Sequence, residues 1–192
     1  MSLAKKLLTL AAPAALLALG GCATGLPTQV SRFQAMPAPA GQTFAIQAAD
    51  PEDRGGLEFS RYAELVRRHM IAQGYSEASS PQQASLIVSL GYGVDDGRQQ
   101  VVSRPALGYS RFGYDRYGYG DELDVYTVYT SYLDMDIRRP DGQAVFEGTA
   151  RARSRTDELG VLVPNLIEAM FTGFPGNSGE TVKITVAPER RR

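Results

Sequence analysis

The stretch GYSRFGYDRYGYG, residues 108–120, repeats a Gly-Tyr pair every five residues and places an arginine within each of its two full cycles. Tyr109, Phe112, Tyr114, Tyr117 and Tyr119 offer flat faces that stack on sugars or on protein surfaces, and Arg111 and Arg116 can pair with phosphate. Glycine at this spacing prevents a stable helix and keeps the run adaptable. These seven residues form a candidate binding element. A second cationic set, Arg151, Arg153 and Arg155, alternates along one later segment and therefore shares one face of a strand, where it could grip phosphate or carboxylate.

Catalytic constellations are harder to assemble. His69 is the sole histidine and Cys22 the sole cysteine, so no nucleophile–histidine pair suggests itself. HExxH, CxxC and GxxxxGK[ST] are all absent, which removes local support for zinc hydrolysis, dithiol redox and P-loop chemistry. The acids Asp95, Asp96, Asp121, Glu122 and Asp124 flank the Gly/Tyr run, and if they met at its base they could bind calcium or serve as an acid/base pair. Their spacing matches no calcium-loop motif, and solvated loop ends are the simpler expectation. No cofactor or metal is expected.

The first residues point to export. Lys5 and Lys6 precede an apolar run, Leu7 to Leu19, that has the length of a signal-peptide core and is too short to span a bilayer. The junction Leu19-Gly20-Gly21-Cys22 resembles the lipobox of bacterial lipoproteins, in which the cysteine is acylated and becomes the new N-terminus. Acylation also explains a single cysteine in an exported chain that cannot form an internal disulfide. Ala23 after the cysteine, in place of Asp, resembles the default signal for the outer membrane of Gram-negative bacteria. Cleavage before Cys22 would move the net charge from −1 to −3, because Lys5 and Lys6 leave with the signal. Export and the lack of a basic surplus exclude nucleic acid as the expected partner.

These groups need a scaffold. Residues 22–42, rich in Pro, Ala, Gly and Gln, read as a flexible tether, and residues 43–187 as one domain. TFAIQA alternates as a first strand, and an amphipathic helix follows over 58–73, with Phe59, Tyr62, Leu65, Val66 and Met70 on its apolar side. ASLIVSLGYG is a second strand, and a long Gly/Tyr-rich loop is expected over 94–124. VYTVYTSYLDMDI, with Leu133, Met135 and Ile137 on one face, leads into the hairpin signal RRPDGQ. With Asp141 and Gly142 as central turn residues, Ile137 faces Phe146, Met135 faces Gly148, Leu133 faces Ala150, and Tyr132 lies across from Arg151, where the two could stack. A second helix runs through VLVPNLIEAMFTGF, with Pro164 admissible only near its first turn. TVKITV is the last strand, and 188–192 form a basic tail. The expected fold is α+β: a two-layer sandwich with a mostly antiparallel sheet, two helices on one face, and the order β-α-β-β-β-α-β.

The lipobox, the Gly/Tyr-rich insertion, YLDMDIRRPDGQAVFEGTARAR and the ending MFTGFPG together resemble the bacterial lipoprotein family catalogued as domain of unknown function 4136. The resemblance covers about residues 43–187. The family often carries tryptophan where this chain has Phe146, and it defines no catalytic residues to transfer. It implies a lipid-anchored envelope protein on the periplasmic side of the outer membrane. The expected role is non-enzymatic binding or assembly, with an envelope protein, a glycan or lipopolysaccharide as partner. The alternatives are a hydrolase or calcium-dependent enzyme built on the loop-base acids, and a self-associating structural protein.

Overall fold

Period-2 alternation and helical spacing both reappear in the computed structural model, which describes residues 25–106 and 120–186. In chain order the elements are β1 (Leu26–Gln34), β2 (Thr43–Ala48), α1 (Leu57–Ala72), β3 (Ser76–Glu77), β4 (Leu86–Val94), β5 (Arg98–Ala106), β6 (Gly120–Arg138), β7 (Ala144–Ser154), α2 (Leu159–Phe171) and β8 (Glu180–Val186). The described residues thus form an α+β fold with eight strands and two helices. The sheet order is β3-β2-β4-β6-β7-β1-β8, with β5 added alongside β6. Pairing is antiparallel except where β2 joins β3 and β4.

The core assembles as the alternation requires. Leu133, Met135 and Ile137 of β6, Phe146 and Ala150 of β7, and Leu86, Val88 and Leu90 of β4 are fully buried in one cluster with Tyr62, Val66 and Met70 of α1 and Val163, Leu166, Ile167 and Met170 of α2. The two helices also touch each other, where His69 stacks on Phe171 with ring centroids 4.7 Å apart and its Nε2 lies 3.1 Å from Glu168. His69 therefore serves packing between helices. Tyr62 donates to Glu58 at 2.8 Å and meets the Tyr92 ring edge-on at 4.9 Å. Burial first, and then Asp53 and Glu58, push the Tyr92 hydroxyl up to about 12.

The β6–β7 register is as expected: Ile137 faces Phe146, Met135 faces Gly148, Leu133 faces Ala150, and Tyr132 faces Arg151. The turn itself lies one residue earlier than expected. Gly142 N–H bonds back to Arg139 O at 2.9 Å, so Pro140 and Asp141 are its central residues and Gly142 follows at φ +89°. A bulge at Val145 then absorbs the offset and restores the register. Pro164 also departs from expectation. The helix begins two residues before the expected run, so the proline lies inside α2, where its missing N–H leaves the Gly160 carbonyl without its helical donor.

Two expected boundaries are corrected. Residues 26–34 are not a tether but strand β1, seated between β7 and β8. Its inward side chains are Thr28, Val30 and Arg32. Arg32, 2 % exposed, donates to Glu180 at 3.0 Å and to the carbonyls of Ala169, Met170 and Thr172 at 2.8–3.1 Å. One guanidinium thus closes the C-terminal end of α2 and joins it to β1 and β8. The second correction is the loop over 94–124: residues 98–106 and 120–124 are paired strand. The chain order therefore has two full strands, β1 and β5, more than expected, besides the two-residue β3.

Candidate functional site

β6 is 19 residues long and has two consecutive partners on one side. β4 pairs with its second half, from Val94 opposite Ser131 to Ile87 opposite Arg138, and β5 pairs with its first half, from Ala106 opposite Gly120 to Arg98 opposite Val128. Between them three residues, Asp95, Asp96 and Gly97, face two, Tyr129 and Thr130. β4 and β5 are therefore one strand interrupted by a bulge, and together with β6 they form a single long hairpin. Asp95 builds the bulge by accepting from Thr130 N–H at 2.7 Å and from Gly97 N–H at 3.1 Å. Those backbone donors, Thr130 first, hold its carboxyl below the ordinary aspartate value. Gly97 sits at φ +74°, and a Cβ there would lie 2.6 Å from Thr127 Cγ2, so both backbone and space require glycine.

On the opposite edge of β6, β7 stops at Ser154, opposite Tyr129. The β5–β6 ribbon beyond that row is an arm with strand partners on neither side among the described residues. It carries Val101 opposite Val125 and Ser103 opposite Leu123 on one face. Val101, Leu123 and Val125 are each about 60 % exposed.

A groove of about 670 Å³ opens on the sheet face turned away from the core, beside the root of this arm. Arg151, Gln29 and Lys183 form one cross-strand row over β7, β1 and β8, and Tyr132 continues that row on β6. Arg153 and Thr130 form the neighbouring pair. Among the described residues Arg151, Arg153 and Lys183 enter no ion pair, and all three are exposed. Thr130, Gln29 and Thr181 add hydroxyl and amide donors to the lining. The arrangement suits an anion bearing several oxygens.

The expected stacking falls elsewhere. Arg155 lies over the Tyr126 ring, 4.3 Å from its centroid, and packs β7's exit against the arm. Tyr132 leans instead across Gly93, where a Cβ would sit 2.8 Å from its ring, and so leaves the Arg151 head unstacked. The acids flanking the Gly/Tyr run do not converge. Asp95 sits at the arm's root opposite Thr130, whereas Asp124 lies six residues farther out, about 20 Å along the strand. The backbone register carries positions 121 and 122 farther still from Asp95. Cys22 and the candidate binders Tyr109, Arg111, Phe112, Tyr114, Arg116, Tyr117 and Tyr119 lie outside the described residues.

The sequence profile described as Domain of unknown function (DUF4136) matches residues 30–176. The chain belongs to this family. An uncharacterized protein of Zymomonas mobilis subsp. mobilis is 26 % identical over 82 % of this DUF4136 chain and 80 % of its own length. Among solved structures, a PDZ domain protein from Parabacteroides distasonis aligns with a TM-score of 0.48 at 12 % identity, over 89 % of this chain and 42 % of that one. The chain thus spans under half the length of that structure. The PelC dodecamer from Paraburkholderia phytofirmans gives a TM-score of 0.39 at 14 % identity, over 76 % of this chain and 95 % of that one.

The groove was partly visible in the sequence, since alternation puts Arg151 and Arg153 on one face. Gln29 and Lys183 were missed as their neighbours. Only the sheet order brings β1 and β8 alongside β7, and no local pattern encodes that order.

Proposed function

We propose that this DUF4136 protein is a lipid-anchored, non-enzymatic binding protein of the bacterial envelope. In this reading it is held by acylated Cys22 at the periplasmic side of the outer membrane, and it takes anionic groups of an envelope molecule into the groove over Gln29, Arg151, Arg153 and Lys183. The domain is then a two-layer sandwich whose helices cover one face and leave the other for ligand. The carrying observation is the set of three cations around one groove with no ionic partner among the described residues. Arg151 and Arg153 lie two residues apart on one face and Lys183 two strands away in the Arg151 row, so the three positive side chains repel one another, and an anion relieves that repulsion. The Gly/Tyr-rich residues 107–119, which join the two strands of the arm, are the second binding element in this reading.

The test is photo-crosslinking and pull-down from intact envelopes, comparing the wild type with a triple R151Q/R153Q/K183Q variant. The variant keeps the wild-type melting temperature and loses the crosslinks; crosslinks that persist at wild-type level overturn the groove assignment. Mass spectrometry of the mature chain checks the anchor separately, with lipid expected on Cys22 and an unmodified thiol counting against it.

A further inference from the structure

One end of the sheet gathers features that separate elements supply. The last row of the body is Tyr129 of β6, Ser154 of β7 and, extending the β1–β7 register by two pairs, Leu26 of β1, which faces Val186 of β8. The arm leaves from this row. Both helices also start here: α2 opens at Leu159, five residues after β7 ends, and α1 opens at Leu57, less than two turns before Tyr62 packs against Tyr92 near the end of β4.

Apolar exposure concentrates at the same end. Leu57, in the first turn of α1, is 91 % exposed, Val161 in the first turn of α2 is also exposed, and the arm adds Val101, Leu123 and Val125. Odd-numbered residues of β6 face the helices in the body, so Leu123 and Val125 continue the core-facing side past the point where the helices stop. Charged positions of both signs border them: Asp53 and Glu58 beside Leu57, Asp157 and Glu158 before Val161, and Arg153 and Arg155 on the other face of the sheet. Exposed apolar side chains gathered at one end of a fold and rimmed by polar residues mark a protein or membrane contact site.

The ends of the chain name the occupant. Cys22 lies four residues before Leu26, a reach of at most about 14 Å, and the C-terminal sequence Glu189-Arg190-Arg191-Arg192 begins three residues after Val186, the strand partner of Leu26. In the lipid-anchor reading the acyl chains are thus attached within that reach of Leu26, at the end where the exposed apolar side chains collect. We infer that this end of the domain seats on the lipid surface, with Leu57, Val161, Val101, Leu123 and Val125 at the depth of the acyl–headgroup boundary. The inference rests on the lipid-anchor reading and adds to it an orientation: the arm lies at the bilayer, and the turn at Arg139–Gly142, at the other end of the sheet, points away.

The sequence contains no tryptophan, so a single introduced one reports its own surroundings. The acylated mature protein carrying Leu123→Trp is reconstituted into vesicles of phosphatidylethanolamine and phosphatidylglycerol, with or without phosphatidylcholine brominated on its acyl chains. Its emission shifts to the blue and falls roughly two-fold with the brominated lipid, as expected for a side chain several ångströms below the headgroups. Phe33→Trp, at the far end of β1 and also exposed, keeps its emission. A vesicle-bound, acylated protein whose L123W emission matches that of F33W overturns the orientation and leaves the anchor standing. A mature chain with no lipid on Cys22 overturns both.

Discussion

Strand β6 passes through two environments, and its two halves differ in cover rather than in pattern. From Ser131 to Ile137 the odd positions are completely buried beneath the helices. From Leu123 to Val125 the same alternation continues, yet both side chains are about 60 % exposed. The body is held by convergent contacts: β7 and β4 flank the strand, helices cover it, and Arg32 ties the end of α2 to β1 and β8. The arm has one partner strand and a bulge at its root. A two-stranded ribbon is marginal in water, so the arm is a structure that needs a second surface, whereas the body is complete without one. Period-2 alternation thus specifies which side chains share a face, and tertiary context decides whether that face is core or contact surface.

The comparison is tested hardest at Arg32. Arg32→Met keeps most of the apolar stem but removes the buried guanidinium that donates to Glu180 and to three carbonyls. A loss of about 3–5 kcal/mol is expected by chemical denaturation, because the cost is that of leaving buried polar groups unpaired. A loss below 1 kcal/mol, about the net value of one ordinary hydrogen bond, would mean that the body does not depend on this guanidinium. At the junction the effect is smaller. Gly97→Val forces a branched side chain to positive φ and into Thr127 and Tyr129, at a cost of about 1–3 kcal/mol confined to the root of the arm. Hydrogen exchange should show the Thr130 amide losing protection while Leu133 and Met135 keep theirs. Equal loss at all three would show that arm and body unfold as one unit.

Cutting the arm away should matter less still. Arg98 and Val128 are directly paired, so an Asn-Gly turn can replace residues 99–127 without altering the register of the body. The expected change in stability is within about 0.5 kcal/mol, since no core residue is removed. The melting temperature should therefore hold while envelope crosslinks fall. A variant that unfolds would place the arm with the body and erase the distinction between them.

Legibility in the sequence followed the same line. The helices, the strands of the body and the β6–β7 register could be read because their inward residues are apolar and repeat at 3.6 or 2. β1 could not, because two of its three fully inward residues are Thr28 and Arg32, and Pro27 argues against a strand inside a sheet. Its only fully buried apolar residue is Val30, with Leu26 partly buried at its start. β5, RQQVVSRPA, was hidden for another reason: Val101 and Val102 are consecutive, so no face stands out, and pairing with β6 across the Gly/Tyr run is a long-range fact. The cations of the groove were visible one strand at a time, and the site they form was not.

The smallest effect separates two aspartates on one sheet by the sign of their pH dependence. Asp95, at the arm's root, has its pKa lowered from 3.8 by the Thr130 and Gly97 amides, so the stability it contributes is present above 3.8 and is lost as pH falls through its lower folded value. Asp136, in the body, is half-buried between Ser89 and Glu147 in the register and has its pKa raised from 3.8, first by burial and then by Glu147 and Asp134. Its contribution has the opposite sense: stability is complete below 3.8 and declines as pH rises through the raised folded value. Asp136→Asn is therefore expected to stabilise the protein at neutral pH and to have no effect below pH 3.8, whereas Asp95→Asn weakens the arm at neutral pH and loses that effect in acid. Denaturation titrations of the two variants across this range, with exchange at Thr130 as the local probe, distinguish them. If both substitutions shifted stability in the same direction at neutral pH, the difference between a carboxylate held by backbone donors at the arm and one crowded by acids in the body would not be the cause.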